Sequence, residues 1–300
     1  MAIVKSGGAR RKFKARMDIE EMNAKATAYG RPIGKMDYLM YVGIPGLLLC
    51  IIVTLLYFSV FWSILAFIVG MIYGFKNYMP HAIERKYLLA GMNARGHYLT
   101  VTTQLATNDE KSMLMVLDES VDRVEKGTEL HKEIVELVAN IGTNIEPANV
   151  RKQFASLRYR YRYDSIFCQY LEQLETGLLN GNNNIDTLQE IEQYHSNLRA
   201  KTHDFLKKKD INLSNYKLIG MFILALVAGC AFLLGFDKFR AGFSRTPVGL
   251  IFGLPFLALE VKTYLSFYRD YWDDDIMSIR TSNKKDKNDK RGKKGKKGKK

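Results

Sequence analysis

Glu260 and Lys262 stand two residues apart at the edge of an otherwise apolar stretch, and an ionisable pair so placed is where transport or coupling chemistry would begin. Both lie beside Tyr264, Phe267, Tyr268, Tyr271 and Trp272, where a lysine can snorkel and aromatic rings form an interface belt. Interfacial anchoring is the first reading of the pair; helix association or coupling is the second. Arg158-Tyr159-Arg160-Tyr161-Arg162-Tyr163 alternates cations with aromatic rings, a pattern that can neutralise phosphates and stack bases. Six successive positions on a helix would spread around its whole surface, so partner binding or cation–π packing against an acidic neighbour is the stronger expectation. Asp273, Asp274 and Asp275 could offer hard oxygen ligands to a divalent cation, but three adjacent carboxylates read first as a solvated acidic cluster.

The remaining chemistry is sparse. His81, His97, His131, His195 and His203 are dispersed, and His195 and His203 share a predicted helix two turns apart with no cysteine between them. Neither a metal centre nor a cofactor is expected. Cys50, Cys168 and Cys230 show no disulfide or metal spacing, which suits a reducing environment. Phosphate-loop, nucleophile-elbow and zinc-protease motifs are missing from the sequence, so no enzymatic activity is expected.

Apolar segments must position what chemistry there is. Tyr38 to Phe75 contains no Asp, Glu, Lys or Arg. As a single helix it would be about 57 Å long against a hydrocarbon core of about 30 Å, so a hairpin turning near Tyr57–Trp62 is predicted. Two further apolar stretches run from Leu218 to Phe236 and from Val248 to Leu259. Lys5, Arg10, Arg11, Lys12, Lys14 and Arg16 precede the first acidic residue, and this basic segment is not expected to be a cleavable signal peptide. With Arg31, Lys35, Lys76, Arg85 and Lys86 it places the N-terminus and the middle of the chain in the cytoplasm. Between Lys284 and Lys300, eleven basic residues against Asp286 and Asp289 supply +9 of the net charge of +14. Such a tail is expected to be disordered, cytoplasmic and drawn to anionic lipid, with direct nucleic-acid binding a weaker alternative. Lys238, Arg240 and Arg245 in the last predicted outer loop run mildly against this topology.

Residues 77–215 form a predicted helical domain. Met113, Leu117, Val121 and Val124 make one stripe, and Leu130, Ile134, Leu137, Val138 and Ile141 a second. Pro147 suits the first turn of a helix bearing Val150, Phe154 and Leu157, and Phe167, Tyr170, Leu171, Leu174 and Leu178 make a fourth stripe. After the break at Gly181–Asn184, Leu188, Ile191, His195, Leu198, Thr202 and Phe205 alternate spacings of three and four, the pattern of a packed helical seam. That helix runs through Lys207–Lys209 towards the third apolar stretch. The fold expected is all-α: an integral membrane protein with about four transmembrane helices and a cytoplasmic helical-bundle domain. Its parts are a basic segment 1–36, a hairpin 37–76, the helical domain 77–215, two spans within 216–272 and the tail 273–300.

Three short segments resemble the type II secretion system F-domain family, and within it the tight-adherence (Flp-type) pilus platform branch. They are Gly74-Phe75 through Met79-Pro80 into Arg85-Lys86; Gly127-Thr128-Glu129-Leu130; and Glu175-Thr176-Gly177 followed by Gly181 to Leu188 and the charged helix to Lys209. The resemblance spans Tyr38 to Tyr268, with Leu178-Leu179-Asn180 as an insertion and the family's first helical repeat, around Thr100–Glu110, weakly marked. It implies an inner-membrane scaffold of a pilus, secretion or conjugative DNA-transfer machine in a prokaryote. The implied partners are a cytoplasmic assembly ATPase, pilin-like or other membrane subunits, and further copies in an oligomer. Glu175, Gly177, Gly181, Leu188, Ile191, Leu198 and Phe205 are then the expected coupling residues. A transporter or channel subunit using Glu260 and Lys262 is the alternative, and a membrane-tethered nucleic-acid binder a weaker one.

Overall fold

The computed structural model describes residues 19–108, 110–181, 184–244 and 246–272. The basic residues from Lys5 to Arg16, Arg245, Asp273–Asp275 and the tail Lys284–Lys300 lie outside the described residues. The helices are α1 Ile19–Ala28, α2 Lys35–Tyr57, α3 Val60–Ala106, α4 Met113–Arg123, α5 Glu129–Thr143, α6 Pro147–Arg160, α7 Ser165–Asn180, α8 Ile185–Leu234, α9 Phe236–Phe239 and α10 Pro247–Tyr271. No strand occurs among the described residues. Helices α2, α3, α8 and α10 are each long and apolar enough to cross a membrane. Two compact bodies are formed, one from residues 19–87 and 227–253, the other from 88–226 and 254–272.

The first body is built on the α2/α3 hairpin. α2 stops where Phe58 takes a left-handed backbone, φ +47°, and α3 starts at Val60 after extended Ser59. A non-glycine residue held there carries strain of about 1–3 kcal/mol, which neighbouring contacts must offset. Phe58 meets the edges of Phe236 and Phe239, both at 5.9 Å, while Ser244 Oγ donates to the Leu56 carbonyl at 3.0 Å. Small residues let the two helices approach: Ser63, Ala66, Gly70 and Gly74 form the buried face of α3. A Cβ on Gly70 would lie 2.7 Å from Gly46 Cα, and one on Gly74 would lie 2.7 Å from the Tyr41 carbonyl oxygen. Thr54 Oγ1 donates across the hairpin to Ser63 Oγ at 2.8 Å. One π-helical turn interrupts each arm, Leu39–Gly43 in α2 and Gly74–Tyr78 in α3, and Gly74 brings them together. At that end Met22 of α1 joins Met79 and Ile83 in a small core flanked by Ile33, Tyr38, Tyr41 and Val42.

The second body holds α4 to α7, and the stripes read from the sequence are its core. Met113, Leu117, Leu130, Ile134, Leu137, Ile141, Val150, Phe154, Leu157, Phe167, Tyr170, Leu171 and Leu174 are all buried. Ser112, Thr128 and Asp164 cap α4, α5 and α7 by accepting the backbone N–H three residues on. Pro147 opens α6, and Gly181 closes α7 with φ +68°.

One element departs from the sequence reading, which assigned no helical stripe between residues 77 and 112. That stretch carries α3 on to Ala106. Its buried face alternates apolar Tyr98, Leu99 and Ala106 with Arg95, Thr102 and Thr103, so the apolar period is broken by polar side chains that are nonetheless inside.

Candidate functional site

The first half of α8 and residues 93–103 of α3 pack antiparallel in the second body, along a ladder of polar contacts. His203 Nε2 and Asn93 Oδ1 lie 3.3 Å apart, and Thr100 Oγ1 donates to Glu192 Oε1 at 2.8 Å. Between these rungs Gly96 leaves the room that His195 and Arg199 fill: a Cβ there would stand 2.7 Å from an Arg199 guanidinium nitrogen and 3.2 Å from the His195 ring. The rungs span eleven residues of α8, about 16 Å along its axis.

Arg95 anchors α3 to α7. Its Nε donates to Asp164 Oδ2 at 2.8 Å, with the two side chains 7% and 12% exposed. Asp164 also caps α7, its Oδ1 accepting the Phe167 N–H at 3.1 Å. The Arg95 guanidinium lies 5.6 Å from the Tyr161 ring and 5.5 Å from the Tyr163 ring. Behind it Tyr170 hydrogen-bonds Thr103 Oγ1 at 2.8 Å and donates to the Leu99 carbonyl at 3.2 Å.

Burial governs the ionisation of these groups. It pushes the Tyr98 phenol up to about 12 and raises Tyr170 and Tyr163 as well. His195 is held below the usual histidine value by burial, with Asp164 pulling the other way. Burial also raises the Cys168 thiol, helped by Asp164, so this cysteine is a poor thiolate nucleophile. Among the described residues no group of three or more His, Cys, Asp or Glu side chains is placed to hold a metal ion. The arrangement is suited to fixing one helix against another in a single register.

The predicted seam is the inner face of α8: Leu188, His195 and Thr202 are buried, and Ile191, Leu198 and Phe205 half-buried. Glu175 lies elsewhere, its Oε2 accepting from Arg158 Nη1 at 2.6 Å. Gly177 is buried, and its carbonyl accepts the Gly181 N–H at 3.0 Å. Glu260 is half-buried and Lys262 exposed on α10, and no ion pair joins them among the described residues. The Arg-Tyr run does not lie on one helix, because α6 ends at Arg160 and a turn follows into the Asp164 cap. Its cations are dispersed: Arg158 to Glu175, Arg160 to Glu133 at 3.2 Å, and Arg162 over Tyr159 at 4.9 Å. Sequence reasoning missed Arg95 and Asp164; the one available signal was Asp164 standing at an N-cap position three residues before Phe167.

These features define an all-helical protein whose membrane-length helices continue into a packed helical body. The chain is 32% identical over 272 residues to the uncharacterized protein pXO2-23 of Bacillus anthracis, an alignment covering 91% of this chain and 97% of that protein. It belongs to the same family as that protein. No family model matches the chain, and no solved structure matches it.

Proposed function

We propose that the chain is a multi-pass scaffold of a prokaryotic cytoplasmic membrane, coupling a cytoplasmic partner to subunits within the bilayer. Helices α2, α3, α8 and α10 cross the membrane, the helical body 77–215 stays in the cytoplasm, and both termini face the cytoplasm. In this reading the chain is the platform subunit of a pilus, secretion or conjugative machine, related to the F-domain platforms, and works with an assembly ATPase as an oligomer.

The observation that carries the reading is α8. It is one helix of 50 residues, about 75 Å long. Its first half is seated by the ladder on α3, while Leu218, Ile219, Met221, Phe222, Leu226, Phe232 and Leu233 in its last third are exposed. Exposed apolar side chains in such number favour a hydrocarbon solvent over water. A load applied to the seam would therefore reach the bilayer without crossing a flexible joint.

Full-length chain purified from detergent-solubilised native membranes is expected to resist carbonate extraction and to carry ATP-hydrolysing activity with it. Asn212→Pro, at an exposed position within α8, would leave membrane retention intact and abolish the machine's output, because proline interrupts the helix. Recovery of the chain in the soluble fraction, or as a strict monomer free of ATPase with full output from Asn212→Pro, would sink the proposal.

A further inference from the structure

The second body contains a basic–aromatic surface that the coupling role leaves unused. The stretch of α8 after the seam packs antiparallel on the end of α10. Tyr216 stacks on Phe267 with centroids 4.3 Å apart and planes at 7°, and Tyr271 OH donates to Asp210 Oδ1 at 2.8 Å. Tyr264, Phe267, Tyr268, Tyr271 and Trp272 continue the cluster ring upon ring. Lys209 is committed inside it, donating to the Tyr271 carbonyl at 3.2 Å and lying 4.7 Å from the Phe205 ring.

On the same stretches of α8 and α10, Lys207, Lys208, Lys217, Lys262 and Arg269 are exposed. Arg269 lies 3.7 Å from Asp270, a pair with both members about three-quarters exposed. Among the described residues, no ion pair holds the four lysines. Across 207–217 and 260–271, six basic residues stand against Asp210, Glu260 and Asp270, and Asp210 already accepts the Tyr271 hydroxyl. Long cationic side chains set around interfacial tyrosines and a tryptophan are complementary to a layer of phosphate headgroups above acyl chains.

We infer that the junction of α8 and α10 is a binding surface for anionic phospholipid headgroups, separate from the Lys284–Lys300 tail. The inference rests on the membrane reading above. Anionic lipid is enriched around the paired helices, the ammonium and guanidinium groups meet its phosphates, and the aromatic cluster sits at the glycerol level. Asp273, Asp274 and Asp275, which follow directly in the sequence, oppose this attraction.

The test uses the two tryptophans of the chain. Full-length chain carrying Trp62→Phe keeps Trp272 as its single indole and is reconstituted in phosphatidylcholine vesicles containing phosphatidylglycerol. One of the two lipids is brominated near the headgroup end of its acyl chains. Brominated phosphatidylglycerol is expected to quench Trp272 about twofold or more beyond brominated phosphatidylcholine at equal mole fraction, since each nearby basic residue favours the anionic lipid. The difference should shrink in about 0.5 M salt, where the screening length falls to a few ångströms. Replacing Lys207, Lys208, Lys217, Lys262 and Arg269 together by Gln should abolish it. Deletion of 284–300 should leave it, and neutralising the three aspartates to Asn should increase it. Equal quenching by both lipids in the full chain overturns the proposal. So does a preference that survives the five Gln substitutions and vanishes with the tail. A chain that fails to float with the vesicles overturns the membrane reading itself, an outcome seen before any quenching is measured.

Discussion

Replacing Asp164 by Asn removes one charge from a buried pair while changing little else. Asn caps a helix about as well as Asp, so the Phe167 N–H keeps its acceptor. The side chain keeps its size, and the Arg95 guanidinium, 7% exposed, stays between α3 and the Tyr161 and Tyr163 rings without its counter-charge. Removing one member of a pair buried this deeply costs about 3–5 kcal/mol, because the remaining ion cannot recover its hydration. At about 2–4 °C per kcal/mol for a body of this size, the expected loss is roughly 10 °C in thermal midpoint. The measurement is far-UV circular dichroism of the full chain in detergent. Hydrogen exchange at the start of α7 would show whether the loss begins there. Arg269→Gln serves as the control, since its partner Asp270 is exposed and such pairs contribute about 0–1 kcal/mol. Arg95→Met combined with Asp164→Asn should recover much of the loss, the unpaired charge having gone. A midpoint for Asp164→Asn within about 2 °C of the native chain would refute the reasoning, because a buried ion without a partner cannot be that well tolerated.

Four further substitutions have outcomes that follow from the structure. Burial depresses the proton affinity of His195 in the folded chain, with Asp164 and Glu192 opposing it and Arg95 and Arg199 adding to it. As pH falls below the ordinary histidine value of about 6.5, the unfolded chain takes up a proton that the folded chain refuses. Stability should therefore fall from that pH downwards until the depressed folded value is passed, and His195→Gln should flatten that part of the profile; equal slopes in the two proteins would count against it. Gly70→Ala should lower stability by about 1–3 kcal/mol, because the new methyl meets the Gly46 backbone at 2.7 Å. Gly96→Ala, whose methyl meets the movable end of Arg199, should cost less in the same thermal assay. Gly181→Ala should cost about 1–2 kcal/mol through its backbone alone, since φ is +68° and nothing lies within 4 Å of the added carbon.

How much of this was legible depended on whether a buried face is uniformly apolar. Leu130, Ile134, Leu137 and Ile141 repeat without a polar intruder, and α5 could be read at once, its Thr128 cap being visible only in the structure. The hairpin was legible from length, because an uncharged run too long for one crossing must turn; the turn falls at Phe58 and Ser59, inside the window read from the sequence. The extension of α3 to Ala106 was hidden, because Arg95, Gly96, Thr102 and Thr103 occupy an inner face that periodicity requires to be apolar. Arg95 and Asp164 are 69 residues apart, and nothing local in a sequence announces a pairing across that separation. The Arg-Tyr run was legible in part, its cations meeting acidic neighbours and rings as expected, but its helix boundary was not. Reading it as one helix ignored Asp164, whose capping role forces a new helix to begin.

The seam of α8 carries one more consequence of helix geometry. Leu188, His195 and Thr202 are buried at intervals of seven, but the buried series continues with Leu206 and Leu213 rather than with Lys209. An α-helix turns every 3.6 residues, so a stripe read in sevens drifts by about 20° per heptad and an eleven-residue step restores it. His195 to Leu206 and Thr202 to Leu213 are such steps. Those steps keep the buried stripe on one side of α8, which meets α3 between Glu192 and His203 and α10 between Lys209 and Tyr216. One continuous helix thus serves two seats in succession, and Lys209→Leu, which removes the donor to the Tyr271 carbonyl, should loosen the second seat and leave the first unchanged. The expected sign is faster hydrogen exchange near Tyr271 with unchanged exchange near Thr100, and unchanged exchange at both places would show that the Lys209 bond does not hold the second seat.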